Sequence, residues 1–474
     1  DAMVDGLAWG PLKHYVGYPR RVLGEDWVQG MTGSPFRTNF HDSKHMRAQL
    51  TREAEAFAEE FRHVPAARSV TLTSEMQWIW QHDYSQPRRD WVKKVFGLDL
   101  TAWQDPPKGN VDAFQNPYGR LKPSVAKMNP PADRVLELSD PLYAYHRWFH
   151  GTTGPTESLM NQTISDAIHV GRPDVLTVQE PILRRCAVRA FERVSIAQEW
   201  YYYENPMAAV MVQERLNAAV RGTRMRPTGM PQFLFKKGRA APYAAMPTAD
   251  MFRETAWLCV LQPIRMLTYW NAQPMTSATF SNYYNRCTTK AQLDELFGTP
   301  TPTWGEAVRI LGENPKVTGK IMPWTPELVQ TFGRFHTEEI GPLAGLIPRW
   351  RNRPRKVAIL RSFSSQIYRE VRWPRTSWLE NCVVHSGVPF DVLYDEDFER
   401  ADDVLAQYDL LVVSRAVCLT RPAADAITRF SQGDGMVVVD PQTLVKIPGT
   451  VVLEPTKSFE AYEQELAARE KRSE

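Results

Sequence analysis

The spacing of apolar residues near the start of the chain predicts a helix followed by a strand. From 41 to 63, apolar residues recur mostly at three- and four-residue intervals, which is typical of a helix with one buried face. Asp42 and Ser43 are available to cap its first turn. A short run from 67 to 73, rich in Val and Thr, then predicts a buried strand that leads into Ser74 and Glu75.

The same alternation continues along the next two hundred residues. Further helices are predicted at 159–170, 182–192, 206–221 and 249–261. Further strands are predicted at 174–179, 193–198, 231–235 and 264–269. Strands that alternate with helices indicate βαβ units and a mostly parallel sheet.

Polar or aromatic residues stand where several of these strands end. Glu75, Glu180, Glu199 and Trp270 directly follow, or nearly follow, a predicted strand. In a (β/α)₈ barrel the carboxyl ends of the strands carry the active site, so we expect these four residues at one end of one sheet. The series is shorter than eight strands, which predicts either a TIM-barrel-like domain whose opening strands lie outside this chain or an open doubly wound sheet.

The pattern restarts after a stretch rich in Arg and Pro at 346–355, which we interpret as a solvated linker. Beyond it, strands are predicted at 357–360, 390–394, 410–414, 436–440 and 451–454, and helices at 376–385 and 422–431. We therefore predict a barrel domain at 1–345, a second α/β domain with a parallel sheet at 356–455, and a charged helical tail at 456–474.

Composition limits the classes of function. A chain of 474 residues is too long for one ordinary core, and 43% hydrophobic with 23% charged residues is typical of folded proteins. A net charge of +3 with both signs scattered argues against a nucleic-acid partner, and no apolar run approaches the length of a membrane helix. Because the chain begins with Asp1, a removed leader and a secreted or periplasmic location stay open; the compartment is undetermined.

Three stretches of sequence carry a resemblance to a known family. VTLTSEMQWIW, DYSQPRRDWVKKVFG and the segment from SDPLYAYHRWFH to DVLTV are similar to the second half of the barrel in family 42 glycoside hydrolases, the bacterial β-galactosidase type. The second domain resembles the trimerisation domain of that family, which has a flavodoxin-like, class I glutamine amidotransferase-like fold. The resemblance implies a carbohydrate substrate and a homo-oligomer, most simply a trimer.

The resemblance also implies a catalytic acid. The family's acid/base glutamate ends the fourth barrel strand in an Asn-Glu pair, and Glu75 occupies the matching place, with Ser74 in place of Asn. Burial among groups such as Trp78 and Trp80 would raise the pKa of the Glu75 carboxyl, as a proton donor requires. The alternative is a structural glutamate that caps the following helix.

The second carboxylate of the family is replaced. Where the family's nucleophile ends the seventh strand, the stretch GMPQFLFKKGR offers Lys236 and Lys237, and lysine cannot form a glycosyl ester. Glu180 or Glu199 could instead act across a wider gap as a general base in an inverting hydrolase. For each of them, a structural ion pair is the alternative.

Aromatic residues near the strand ends complete the candidate site. Sugar rings stack on aromatic side chains, so we expect substrate contacts from Trp78, Trp80, Trp200, Tyr202 and Trp270, although core packing would use the same residue types. No metal or cofactor is predicted: His146 and His150 lack a third ligand, and no GxGxxG motif follows a strand.

We therefore expect a glycoside hydrolase that acts on a β-linked sugar, with Glu75 as the acid. The alternative is a catalytically inactive barrel that serves as a carbohydrate-binding or assembly subunit, which Lys236 and Lys237 favour. In the second domain Cys418 lacks the Gly-flanked turn of an amidotransferase nucleophile, so we expect an interaction role there.

Overall fold

The computed structural model describes a set of segments that together carry both predicted sheets. These are residues 27–29, 35–37, 44–65, 68–73, 86–100, 130–151, 157–179, 193–202, 206–232, 236–238, 241–245, 248–264, 266–269, 326–369 and 376–455.

Thirteen α-helices are assigned in these segments. They are α1 (Lys44–Glu60), α2 (Gln86–Phe96), α3 (Pro141–His150), α4 (Glu157–Gly171), α5 (Pro206–Val220), α6 (Ala249–Val260), α7 (Pro326–Arg334), α8 (Gly341–Leu343), α9 (Ile347–Arg351), α10 (Phe363–Arg369), α11 (Trp378–Ser386), α12 (Asp395–Arg400) and α13 (Arg421–Gln432). A π-helical turn at Phe335–Ile340 connects α7 to α8.

Sixteen short strands accompany the described helices. They are β1 (Trp27–Gln29), β2 (Pro35–Arg37), β3 (Ser69–Thr73), β4 (Val135–Leu136), β5 (Leu176–Gln179), β6 (Ile196–Tyr202), β7 (Arg226–Gln232), β8 (Lys236–Gly238), β9 (Ala241–Ala245), β10 (Met266–Leu267), β11 (Val357–Arg361), β12 (Phe390–Tyr394), β13 (Leu410–Val413), β14 (Leu419–Thr420), β15 (Met436–Val439) and β16 (Val451–Val452).

The first large sheet has the strand order β10-β7-β6-β5-β3. Each strand thus lies beside its predecessor in this series, as in a (β/α)₈ barrel, and β3, β5 and β6 pair in parallel. The predicted alternation of strand and helix is confirmed where the structure describes the chain; the predicted helix at 182–192 lies outside the described residues.

Two helices pack closely on the β3–β5 side of this sheet. A side chain on Gly171 of α4 would lie 3.1 Å from Cβ of Ala58 in α1, so the two helices approach at small residues. Ser165 of α4 lies 2.7 Å from the hydroxyl of Thr177 in β5, which identifies the face of the sheet that α4 covers. Ala54, Ile164 and Ile168 are fully buried here.

Strand β7 begins five residues before the predicted strand at 231–235 and contains the first two residues of that range. Residues 233–235 lie outside the described residues. The backbone O of Gly229 accepts a hydrogen bond from the N–H of Thr268, beside β10. Alternate residues of a strand direct their backbone N–H and C=O groups to the same neighbouring strand. Pro231 therefore faces β10, as Gly229 does, and its lack of an N–H costs few hydrogen bonds because β10 has only two residues.

The second large sheet is parallel throughout, with the order β12-β11-β13-β15-β16. Numbered within the sheet this is 2-1-3-4-5, the flavodoxin-like doubly wound order, which confirms the predicted fold class. The predicted strand at 390–394 coincides with β12. Its core contains fully buried Leu360, Leu393, Val413 and Ile427.

A segment from the first part of the chain packs against this second sheet. Strand β4 pairs in parallel with β14, and α3 contributes Leu142, Tyr145 and Phe149 to a core that also contains Phe363 and Ile367 of α10. Tyr143 and Tyr145 of α3 are core residues. The domain boundary at 345/356 stays a prediction.

Two arginines of the predicted linker are structural rather than solvated. The guanidinium of Arg351, at the end of α9, donates to the backbone O atoms of Val260 and Ile264. Arg355 pairs with Glu214 and Asp391, and its side chain is only 13% exposed. Pro348 stands in the first turn of α9, where its missing N–H has no cost.

Among the helices that the structure describes, none is both long and apolar enough to cross a membrane.

Candidate functional site

Strands β3 and β5 end level with each other at the carboxyl edge of the first sheet, whereas β6 continues beyond them. Thr73 of β3 pairs with Gln179 of β5, and Gln179 pairs with Ala197 of β6. Thr73 and Gln179 are the last residues of their strands. The expected position of Glu75 and Glu180 at this edge stays a prediction. Both glutamates lie outside the described residues, as do Trp78, Trp80 and Trp270.

Glu199 lies within β6, not after it. The strand continues to Tyr202, because the aromatic run that follows Glu199 suits a strand better than the loop that the sequence suggested. Trp200 and Tyr202 therefore belong to β6; their side chains are outside what the structure describes.

Glu199 is buried on the face of the sheet that the helices cover. Gln179 is two residues beyond Thr177, whose hydroxyl meets α4, and Ala197 is level with Gln179. Because side chains alternate along a strand, Thr177, Gln179, Ala197 and Glu199 share that face, and Gln198 points to the opposite one. Glu199 is 5% exposed and Gln198 is 4% exposed.

Strand β7 supplies no carboxylate at its end. Its last residue is Gln232, and its described residues include no Asp or Glu. Lys236 and Lys237 lie in β8, which pairs antiparallel with β9 in a separate two-stranded sheet. The lysines are thus not the end of the seventh strand, although that strand still lacks the family's nucleophile.

A buried amide beside β7 was missed by the sequence analysis. Gln213 of α5 is fully buried, and its amide has no hydrogen-bond partner among the described residues. A side chain on Gly229 would lie 2.8 Å from Nε2 of Gln213, so the amide of Gln213 would have to move to admit one. A glycine inside a strand often marks a close approach, but it does not identify the group that approaches.

The end of β10 carries a hydrogen-bonded pair that the sequence did not suggest. Tyr269, two residues beyond the strand, places its Oη 2.9 Å from Nε2 of His336 in the π-helical turn. Burial raises the pKa of the Tyr269 hydroxyl well above its usual value and lowers the pKa of His336. At neutral pH the pair is therefore a phenol and a neutral imidazole.

The second sheet has a polar cluster where β11 and β12 end. Oδ2 of Asp395 accepts a 2.7 Å hydrogen bond from the backbone N–H of Ser364, and burial raises the pKa of this carboxyl to about 6. Cys418 is fully buried, and burial raises the pKa of its thiol. A buried, protonated thiol is a poor nucleophile, which supports a structural role for Cys418.

No cluster of three or more His, Cys, Asp or Glu with the geometry of a metal site occurs among the described residues. His146 is fully buried and packs edge-on against Tyr145, with ring centroids 5.4 Å apart.

Comparisons with known proteins agree at the level of the fold. No family model and no curated protein matches the sequence. Among solved structures, a β-galactosidase from the psychrophilic Marinomonas ef1 matches with a TM-score of 0.52 and 13% identity, over 90% of this chain and 65% of that one.

Two further β-galactosidase structures give the same result. The cold-adapted enzyme from Rahnella sp. R3 matches with a TM-score of 0.51 and 14% identity, over 88% of this chain and 58% of that one. A catalytic mutant of Gan42B, a GH42 β-galactosidase from G. stearothermophilus, matches with a TM-score of 0.51 and 12% identity, over 89% of this chain and 59% of that one. The chain spans less than two thirds of each. It shares the fold of family 42 β-galactosidases.

Proposed function

We propose that the protein hydrolyses a β-linked glycoside, a β-galactoside in the first instance, with Glu75 as the general acid. The observation that carries the proposal is the carboxyl edge of the first sheet, where β3 ends two residues before Glu75 in a fold shared with β-galactosidases. The acid protonates the glycosidic oxygen as the bond to the anomeric carbon breaks.

The second carboxylate is Glu180 or Glu199 acting as a general base. A base removes a proton from a water molecule that attacks the opposite face of the sugar ring, which inverts the anomeric configuration. Glu180 directly follows the last residue of β5, whereas Glu199 is buried on the helix-covered face. The position of Glu180 favours it as the base, and Glu199 then serves a structural role.

Aromatic residues near the same edge bind the sugar. Trp78, Trp80, Trp200, Tyr202 and Trp270 are the proposed stacking residues, because they follow or lie in β3, β6 and the strand-end segment after β10.

The experiment is hydrolysis of 4-nitrophenyl β-D-galactoside by the wild type, E180Q and E199Q. We expect E180Q to lose at least ~10²-fold in kcat, as loss of a general base does, while E199Q keeps more activity after correction for folded protein. In a base-deficient variant that retains Glu75, azide should replace the attacking water and restore turnover, with a glycosyl azide as the product. Full activity in both variants would remove this pair from the mechanism.

A second candidate function is supported by the end of β7. Without a carboxylate among its described residues, the strand lacks the group that forms a glycosyl ester, which favours an inactive barrel that binds carbohydrate or organises an assembly. Sugar binding measured by calorimetry without turnover of any β-glycoside would select this candidate.

We also propose that the protein is a homo-oligomer, a trimer with cyclic symmetry, on the basis of the resemblance of the second sheet to a trimerisation domain.

A further inference from the structure

Tyr269 and His336 are the centre of an aromatic cluster beside β10. The ring of Tyr269 stacks on Phe252 of α6 at 5.6 Å and meets the edge of Phe332 at 5.0 Å. The His336 ring contacts Phe332 at 4.8 Å and Phe335 at 5.4 Å. Phe252 and Phe335 are fully buried, and the hydrogen bond between Tyr269 and His336 is partly buried beside them.

The π-helical turn determines where His336 stands. Pro342 has no N–H to continue an α-helical ladder, and its ring crowds the preceding turn. The chain widens instead, and the N–H of Gly341 bonds the backbone O of His336, five residues earlier. A side chain on Gly341 would lie 3.1 Å from that oxygen. π-Helical turns are rare and concentrate near functional sites.

The strand beside this pair is short. Strand β10 has two residues, and the N–H of Thr268 bonds the O of Gly229 at 2.9 Å. Tyr269 is the next residue, so its side chain is well placed to hold the backbone at the end of this short strand.

We propose that Tyr269 and His336 are positioning residues that fix the backbone at the carboxyl end of β10, and thereby the sugar-contacting segment that begins with Trp270. The effect on the segment that begins with Trp270 rests on the proposed function; the effect on the backbone of β10 does not. The pair touches no substrate itself, and its effect is to keep the strand end in one conformation, which lowers the ordering cost of binding a sugar.

The test compares Y269F, H336L and H336Q with Y408F as the matched control. Tyr408 is a largely buried tyrosine of the second sheet whose hydroxyl bonds Asp391 at 2.9 Å, so Y408F makes the same chemical change elsewhere. Hydrogen exchange of the peptide that contains Thr268 and Tyr269 is measured by mass spectrometry. The Kd of lactose is measured by calorimetry in an E75Q background, where turnover does not interfere.

We expect exchange at this peptide to be about 3- to 10-fold faster in Y269F and H336L, the loss that one hydrogen bond predicts. H336Q keeps a polar group near the Nε2 position and should recover part of the protection; Y408F should leave the peptide unchanged. The Kd should rise by a similar factor when Y269F or H336L is combined with E75Q. In the same variants with Glu75 intact, kcat should change less than KM.

Unchanged exchange in both Y269F and H336L would overturn the inference, whatever the activity. Faster exchange with an unchanged Kd would overturn the link to sugar binding. If exchange is faster in Y269F and H336L but the E75Q protein binds no sugar, the role of the pair at β10 is upheld. That result counts against the proposed function alone.

Discussion

At the scale of single residues, the buried carboxyl of Glu214 links α5 to the second sheet. It pairs with Arg355, which also meets Asp391 of β12, and Arg221 lies beside Asp391 at 3.8 Å. Burial outweighs the nearby cations and raises the pKa of Glu214 from 4.5 to about 7. A carboxyl with a raised pKa stabilises the fold when it is protonated, below its unfolded pKa, and this contribution is lost as the pH rises through the folded value.

The free energy of unfolding should therefore fall as the pH rises from 4.5 to 7, with Glu214 as one source. Replacing Glu214 by Gln should reduce that fall by about 1–3 kcal/mol, since one pKa unit corresponds to about 1.4 kcal/mol. Urea unfolding at several pH values measures the slope. D395N should also reduce the fall in the free energy of unfolding, because the pKa of Asp395 is raised to about 6. A slope in E214Q equal to that of the wild type would contradict this account of Glu214.

Gly229 is a residue at which a single methyl group should be costly. In G229A the new Cβ would lie 2.8 Å from Nε2 of Gln213, which is fully buried and has little room to move. We expect a loss of about 1–3 kcal/mol in unfolding free energy, the usual cost of overpacking. Q213A should recover part of that loss in the double variant, because it removes the atoms that collide.

Gly333 in α7 is the matched control for this substitution. Nothing lies within 4 Å of the position of its Cβ, so G333A should stabilise the helix by about 0.5–1 kcal/mol. Equal effects of G229A and G333A on stability would show that the contact with Gln213 does not restrict β7.

At the scale of elements, α3 depends on Asp140 in two ways. Its carboxylate caps the helix by accepting a 2.9 Å bond from the N–H of Tyr143, and it accepts a 3.0 Å bond from the hydroxyl of Tyr368 in α10. D140A should cost about 2–3 kcal/mol, since the cap contributes about 1 kcal/mol and the largely buried hydroxyl loses its acceptor.

Thr248 is the comparison for Asp140, because it caps α6 through one bond to Met251 and has no second hydrogen bond of this kind among the described residues. T248A should cost only about 1 kcal/mol. Chemical denaturation of the two variants gives both values, and a smaller cost for D140A than for T248A would be inconsistent with a role of Asp140 between α3 and α10.

The sequence predicts elements well where one periodicity dominates. The four-residue apolar spacing located α1 to within a few residues, and the run at 390–394 coincides with β12 because it is short, β-branched or aromatic, and bounded by turn residues. Helix α3 was harder to predict, since most of its described side chains are wholly or partly buried. The π-helical turn follows from Pro342 only once the packing of its neighbours is known.

In the candidate site too, some features follow from the local sequence pattern and others depend on packing. The strand ends beside Glu75 and Glu180 followed from local pattern, whereas the extent of β6 past Glu199 and the position of β7 depend on neighbouring strands. The contacts of Gln213 with Gly229 and of Tyr269 with His336 join residues distant in sequence, so no local pattern contains them.

At the scale of the whole molecule, the proposed assembly is open to direct measurement. The intact chain should elute as a trimer in light scattering at micromolar concentration, with an interface that buries more than ~1,000 Å² in total. A monomer at that concentration would exclude the trimer and leave the fold assignment unaffected.

The central claim is that Glu75 donates a proton to the leaving group, and leaving-group dependence tests it most directly. The kcat/KM values of the wild type and E75Q are compared for 2,4-dinitrophenyl β-D-galactoside, whose leaving group needs no proton, and for lactose, whose leaving group does. We expect E75Q to lose at least ~10²-fold on lactose and far less on the dinitrophenyl substrate. Equal losses on both substrates, or wild-type turnover of lactose by E75Q, would contradict the account.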